Sequence, residues 1–213
     1  MKTAALLLVC AALAWPQVAT EANKNYTTKE GRDGVARTLD NPNRDKTQKP
    51  EEIIELMHIR PGMTVADIGT GTGYMLPFLS KAVEGGKVIG EDIAPDFLDR
   101  ARARVSSDKL TNADLILGTE TDPKLPAHAV DIALVLDVYH HFNYPAKMLA
   151  NIAHGLKPHA HLVIVDFYKK DMPNHVRLDR DEVAREVESN GFRLIATTEH
   201  TGNKQYMLTF EKR

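Results

Sequence analysis

The chain of 213 residues has a single cysteine, Cys10. It lies in an N-terminal apolar run, residues 4–15, that reads as part of an export signal. With the signal removed, the chain has no thiol. No disulfide framework, cysteine nucleophile or cysteine metal ligand is then available. Net charge is scarce as well: 27 Lys and Arg stand against 29 acids, a balance of -2. That balance gives no pull toward nucleic acid or an anionic membrane. A membrane span is lacking too, because the apolar run is too short to cross a bilayer comfortably.

Lys2 precedes the run, Pro16 ends it, and small residues follow at Ala19, Thr20 and Ala22. Residues 1–22 therefore read as a secretory signal cut after Ala19 or Ala22, with an uncleaved anchor as the alternative. The expected location is periplasmic or secreted, with no stable span after cleavage. Residues 23–48 are polar and without clear periodicity, and read as a mobile leader that orders near 44–48. Residues 49–213 read as one domain, and a hydrophobic content of 43% is enough for a sizeable core.

What is present is an alternation of strand and helix patterns. Strands are expected at 64–68, 87–91, 113–117, 130–136, 162–166, 192–199 and 205–211. Helices are expected at 50–58, 73–83, 95–105, 145–154 and 179–190. The pattern predicts an α/β fold: a Rossmann-like, doubly wound sheet of seven mostly parallel strands, the last antiparallel, with helices on both faces. Arg100, Arg102 and Arg104 read as a solvated helix face. The turn Leu156-Lys157-Pro158-His159-Ala160 has no glycine, which calls for unusual geometry or some strain.

The first strand ends in Asp67-Ile68-Gly69-Thr70-Gly71-Thr72-Gly73-Tyr74. Alternating glycines between a strand and a helix leave backbone N–H groups facing a crevice. The dinucleotide fingerprint G-x-G-x-x-G fails in both registers, because its last glycine falls at Tyr74 or Leu76. The pattern that fits is acid-x-Gly-x-Gly-x-Gly. In this turn, and in Asp92 at the end of the second strand, the chain resembles the class I S-adenosylmethionine-dependent methyltransferases, in their bacterial small-molecule form. The resemblance covers residues 50–213.

The resemblance implies S-adenosylmethionine as cofactor. Asp67, Gly69, Thr70, Gly71, Gly73 and Tyr74 would hold its amino-acid end and ribose, and Asp92, followed by Ile93, would take the ribose hydroxyls. Strand alternation lets only one of Glu91 and Asp92 face the site. Thr119 and Glu120 are candidates beside the adenine, and Arg44 and Gln48 for folding over the cofactor. Asp137, also a cofactor candidate, Tyr139, His140 and His141 are expected to line the place where an acceptor approaches. Hydrogen-bonded structural histidines are the alternative for the last two. His140-His141 and His159-x-His161 are the histidine clusters. No third ligand stands at a telling spacing, so no metal is expected.

The function implied is methyl transfer by in-line displacement to a small-molecule acceptor, with no nucleic-acid partner. The cysteines used in cytosine-C5 and arsenite methylation are missing, and so is the Asp/Asn-Pro-Pro-Tyr/Phe signature of amino-methylating DNA enzymes. A binding protein that senses S-adenosyl ligands or nucleosides without turnover is the alternative. A nicotinamide-dependent oxidoreductase is disfavoured by Tyr74 and Leu76.

Overall fold

The computed structural model describes residues 17–200 and 204–213. Seven strands form one sheet: β1 (Thr64–Ile68), β2 (Lys87–Asp92), β3 (Ala113–Leu117), β4 (Val130–Leu136), β5 (Leu156–Phe167), β6 (Phe192–His200) and β7 (Gln205–Lys212). Their order is β3-β2-β1-β4-β5-β7-β6. Pairing is parallel from β3 across to β5, and β7 runs against both β5 and β6. The strand order reverses between β1 and β4. The crevice beyond their carboxyl ends is where such a sheet receives a ligand.

Burial on both faces explains the apolar strands. Along β4, Val130, Ala133 and Val135 face one core, and Ile132, Leu134 and Leu136 face the other. The first core is closed by α6 (Pro145–Gly155) and α7 (Arg180–Glu188), through Leu149, Ile152, Val183 and Val187. The second is closed by α3 (Pro50–Leu56), α4 (Leu76–Ala82) and α5 (Pro95–Ser107), through Ile53, Leu76, Leu79 and Ala101. Proline opens α3, α5 and α6, where its missing N–H costs no helix bond. A capping box between Asp179 and Glu182 fixes the start of α7.

Three segments depart from the sequence expectations. The stretch read as a mobile leader contains α1 (Lys29–Leu39), capped by the Thr28 side chain, while α2 (Arg44–Gln48) coincides with the part expected to order. The helix α1 buries only Ala36, so no apolar period announces it. Ion pairs to α5 hold it instead. Arg32 binds Asp96 at 2.9 Å through both carboxylate oxygens, Arg100 meets Asp33 at 3.1 Å, and Arg104 meets Asp40 at 2.9 Å. Arg100 and Arg104 are thus docking groups for α1 and not a free solvated face; Arg102 alone pairs locally, with Asp99.

The strand β5 starts at Leu156, six residues early. Its pairing with β4 skips from Val130–Leu156 to Ile132–His161, so residues 157–160 form a bulge. His159 takes a φ of 58°, the left-handed geometry that a glycine would have adopted freely, and its Nδ1 sits 2.7 Å from Glu211. The helix α4 begins three residues after Gly73, because the glycine turn continues through Met75 before the helical bonds start. The turn expected at Gly202-Asn203 and the apolar run at 4–15 lie outside the described residues.

Candidate active site

A cavity of about 460 Å³ opens beyond the ends of β1, β2 and β4. Its floor is the turn after β1. Gly69 has a φ of 70°, and a Cβ there would stand 2.6 Å from the Val138 methyls, so both backbone and space require glycine. Asp67 is buried below the turn and accepts the Thr70 hydroxyl at 2.6 Å. Burial pushes the Asp67 carboxyl up to about 6, against the Thr70 bond, which lowers it.

Asp92 faces the cavity from the end of β2. Its Oδ2 accepts the Gly71 N–H and its Oδ1 the Ala94 N–H, both at 2.9 Å. Burial raises it to about 6, and these backbone donors oppose the rise. Glu91 lines the same cavity. This corrects the expectation that only one of the pair could do so. The strand ends at this point, and Gly118 lacks the side chain that would otherwise occupy the place of Glu91 Oε1. Burial, then the neighbouring Asp92, drives Glu91 up to about 8, and its Oε1 has no hydrogen-bond partner.

Asp137 follows β4 in left-handed backbone, φ 59°, and lines the opposite wall. It meets Arg44 at 3.5 Å and accepts from Gln205, which in turn accepts from Gln48 at 2.9 Å. Burial raises its carboxyl to about 6, with Arg44 pulling it down. The Arg44 guanidinium lies 3.9 Å from the centre of the Tyr74 ring, whose hydroxyl donates to Asp45 at 2.8 Å. The helix α2 is locked to the glycine turn in this way. Arg44 and Tyr74 line the cavity, whereas Gln48 supports Gln205 from behind.

The roof comes from residues 17–32 of the N-terminal segment, none of which the sequence singled out for the site. Gln17, Thr20, Asn23, Tyr26 and Arg32 reach the cavity from it. The Tyr26 ring stands against His141, with centroids 4.7 Å apart, and against Phe97 at 6.1 Å. Ile93, 49% exposed, completes an apolar side. Glu120 lines the far edge and accepts from Asn143 at 3.0 Å.

Four candidates fall elsewhere. Thr119 is tied to Asp122 in a tight bridge away from the cavity. Gly73 packs against Ala101 of α5, where a Cβ would come within 3.1 Å, so its role is close packing. Tyr139 and His140 belong to a 3-10 turn (Tyr139–His141) in which only His141 looks into the cavity. Tyr139 donates to Glu186 at 2.6 Å, and His140 meets Asp166 at 2.7 Å, both behind the cavity wall. In a turn of three residues per revolution, positions three apart share a face. Val138 and His141 therefore line the cavity together.

Five carboxylates, of Asp67, Glu91, Asp92, Glu120 and Asp137, and two arginines, Arg32 and Arg44, surround this space. An excess of negative groups suits a cationic ligand and repels a pyrophosphate. Residues 66–162 match the family model for a methyltransferase domain. Those residues carry a methyltransferase domain, on the fold of the S-adenosylmethionine-dependent methyltransferases.

A solved S-adenosylmethionine-dependent methyltransferase of Aquifex aeolicus superposes on this domain with a TM-score of 0.80. It is 29% identical, over 84% of this chain and 98% of that one. Nocamycin O-methyltransferase of Saccharothrix syringae is 32% identical over 81 residues, 38% of this chain and 29% of that protein. A tRNA (adenine(58)-N(1))-methyltransferase of Thermus thermophilus is 31% identical over 144 residues, 67% of this chain and 51% of that protein. The chain spans about a third to a half of the length of the curated relatives it matches. The cofactor of the methyltransferase domain is S-adenosylmethionine, and the cavity fits it. The acidic lining matches its sulfonium and ammonium charges, and the buried Glu91 Oε1 is a polar atom left without a partner in the wall.

Proposed function

We propose that the protein transfers a methyl group to a small-molecule acceptor inside this cavity. The observation that carries the reading is the acid-lined cavity at the glycine turn, closed over by the N-terminal segment. S-adenosylmethionine supplies, when bound, a methyl group already activated on a sulfonium. What remains for the protein is alignment and exclusion of water. Asp92 and the turn from Gly69 to Gly71 hold the donor's ribose side, and Asp67 and Asp137 face its positive charges. Tyr26, Phe97 and His141 form a partly aromatic wall that shapes the acceptor side.

A small acceptor is favoured by the roof. Residues of 17–44 cover the cavity and leave it the scale of a metabolite pocket. A net charge of -2 and an acidic site give an RNA backbone nothing to grip. The test is calorimetric titration of the full chain with S-adenosylmethionine, S-adenosylhomocysteine and NADH. Binding of both S-adenosyl ligands and none of NADH is expected. Binding of NADH alone would overturn the reading.

We also propose that the protein is exported, from the charged start and apolar run of residues 2–15. Among the described residues, no helix is long and apolar enough to cross a membrane. A cut after Ala22 would remove Gln17 and Thr20 from the cavity wall, together with the buried Ala19 and Ala22. N-terminal sequencing of protein from a periplasmic fraction decides the point: a start at Thr20 or Asn23 supports export, and an intact Met1 opposes cleavage.

A further inference from the structure

His140, His141 and His175 come together from two places in the sequence. His140 and His141 sit in the turn after β4, and His175 in the loop between β5 and α7. One ring nitrogen of each lies within 4.8 Å of the other two. His140 Nε2 and His175 Nε2 are 3.2 Å apart. Two nitrogens bound at about 2.1 Å to one tetrahedral ion stand about 3.4 Å from each other. The pair is therefore already spaced as two ligands of one metal.

The outer contacts orient the rings. His140 Nδ1 meets the Asp166 carboxylate at 2.7 Å, and that carboxylate can only accept. The proton is thus on Nδ1, which in the neutral ring leaves the Nε2 lone pair for a metal. His141 is oriented by Asn23. The Asn23 Nδ2 donates to the His141 carbonyl at 2.9 Å, so the Asn23 Oδ1 is left to accept from His141 Nδ1, also at 2.9 Å. A ligating histidine whose other nitrogen donates to a carboxylate or carbonyl oxygen is the usual outer arrangement of a bound metal. Two of these three histidines have it.

We infer that His140, His141 and His175 form a binding site for one divalent transition-metal ion of the zinc class, beside the wall of the methyl-transfer cavity. Three protein ligands leave a fourth position open, as in catalytic zinc sites. Since His141 also lines the cavity, the ion stands next to the space an acceptor fills. Any role of the ion toward an acceptor rests on the function proposed above; its binding does not. A plain hydrogen bond between His140 and His175 is the competing arrangement, and it needs neither a metal nor His141.

The test uses the full chain without an affinity tag, stripped with a chelator and titrated with Co²⁺ and then Zn²⁺. One Co²⁺ per chain is expected, with the visible absorption of a four-coordinate site of three nitrogens and a water, displaced by Zn²⁺. His175→Gln, at a half-exposed loop position, should weaken Co²⁺ binding at least roughly tenfold. Asp166→Asn should weaken it by about 10–100-fold, the effect of losing an outer-shell partner. His159→Ala removes a histidine held by Glu211 far from the cluster and should change nothing. Circular dichroism of each metal-free variant separates lost binding from lost folding. No stoichiometric Co²⁺ uptake by the unmodified chain would overturn the site. So would a loss in His159→Ala equal to that in His175→Gln.

Discussion

Gly71 donates its backbone N–H to Asp92 Oδ2 at 2.9 Å, which ties the turn after β1 to the end of β2. The bond holds the carboxylate facing the cavity before any ligand arrives. Each oxygen keeps capacity for a further hydrogen bond, as two ribose hydroxyls require. Asp92→Ala should weaken S-adenosylmethionine binding by roughly 1.5–3 kcal/mol, the scale of hydrogen bonds to a charged group. Calorimetry on both proteins measures this, and equal affinities would remove Asp92 from the ribose role.

Gly69 answers to Val138 across the same turn. A Cβ at Gly69 meets both Val138 methyls at 2.6 Å, in backbone at φ 70°. Gly69→Ala therefore combines left-handed strain with overpacking, together roughly 2–4 kcal/mol of stability. Val138→Ala in the same chain removes the clash and leaves the strain. Urea unfolding of the single and double variants should show partial recovery in the double. Equal losses would mean that the contact with Val138 is not the cause.

The sheet was legible because its inner strands are covered on both faces. The expected bounds of β1, β3 and β4 coincide with those observed, and β4 is a nearly continuous apolar run. The acids Asp67, Asp92 and Asp137 were legible as lining of the crevice because each stands at or next to the carboxyl end of a strand. Of the roof, only Arg44 was legible. The helix α1 is fixed by Arg32 and Asp96, 64 residues apart, and an ion pair leaves no periodic trace in the sequence. His175 was hidden for the same reason, since its partner His140 lies 35 residues away on a different loop. Tyr139 and His140 were misplaced because the chain after β4 winds as a 3-10 turn, where neighbouring side chains diverge.

Arg32 is the hinge pin of the roof. It binds both oxygens of Asp96 and the Tyr26 carbonyl, all at 2.9 Å, and it lines the cavity. The pair is partly exposed, so Arg32→Ala should cost only about 0.5–1 kcal/mol of global stability. Its local effect should be larger. Hydrogen exchange across residues 29–39 should speed up by about an order of magnitude or more as α1 loosens, while β1 and β4 stay protected. Uniform acceleration through the sheet would show a global role instead.

Glu91 predicts a pH dependence of a definite sign. It is buried against Asp92, Asp67 and Asp122, and only the Gly69 N–H favours its charged form. Its carboxyl is raised from 4.5 to about 8, so the folded chain holds a proton that the unfolded chain releases. The stability contribution is full below pH 4.5 and is lost as pH rises through about 8. Asp67 and Asp92 shift the same way, each to about 6. Their contribution is lost between pH of about 3.8 and 6, so only above pH of about 6 does Glu91 act without them. Thermal melting of the ligand-free chain should therefore fall between pH of about 6 and 9, and Glu91→Gln should flatten that part of the curve while leaving the lower part sloped. A Glu91→Gln chain with the original slope above pH 6 would assign the effect to another group. A cationic ligand acts in the opposite direction. It favours the ionised carboxylates, so S-adenosylmethionine should bind more tightly as pH rises through the same range, and the gain should shrink in Glu91→Gln.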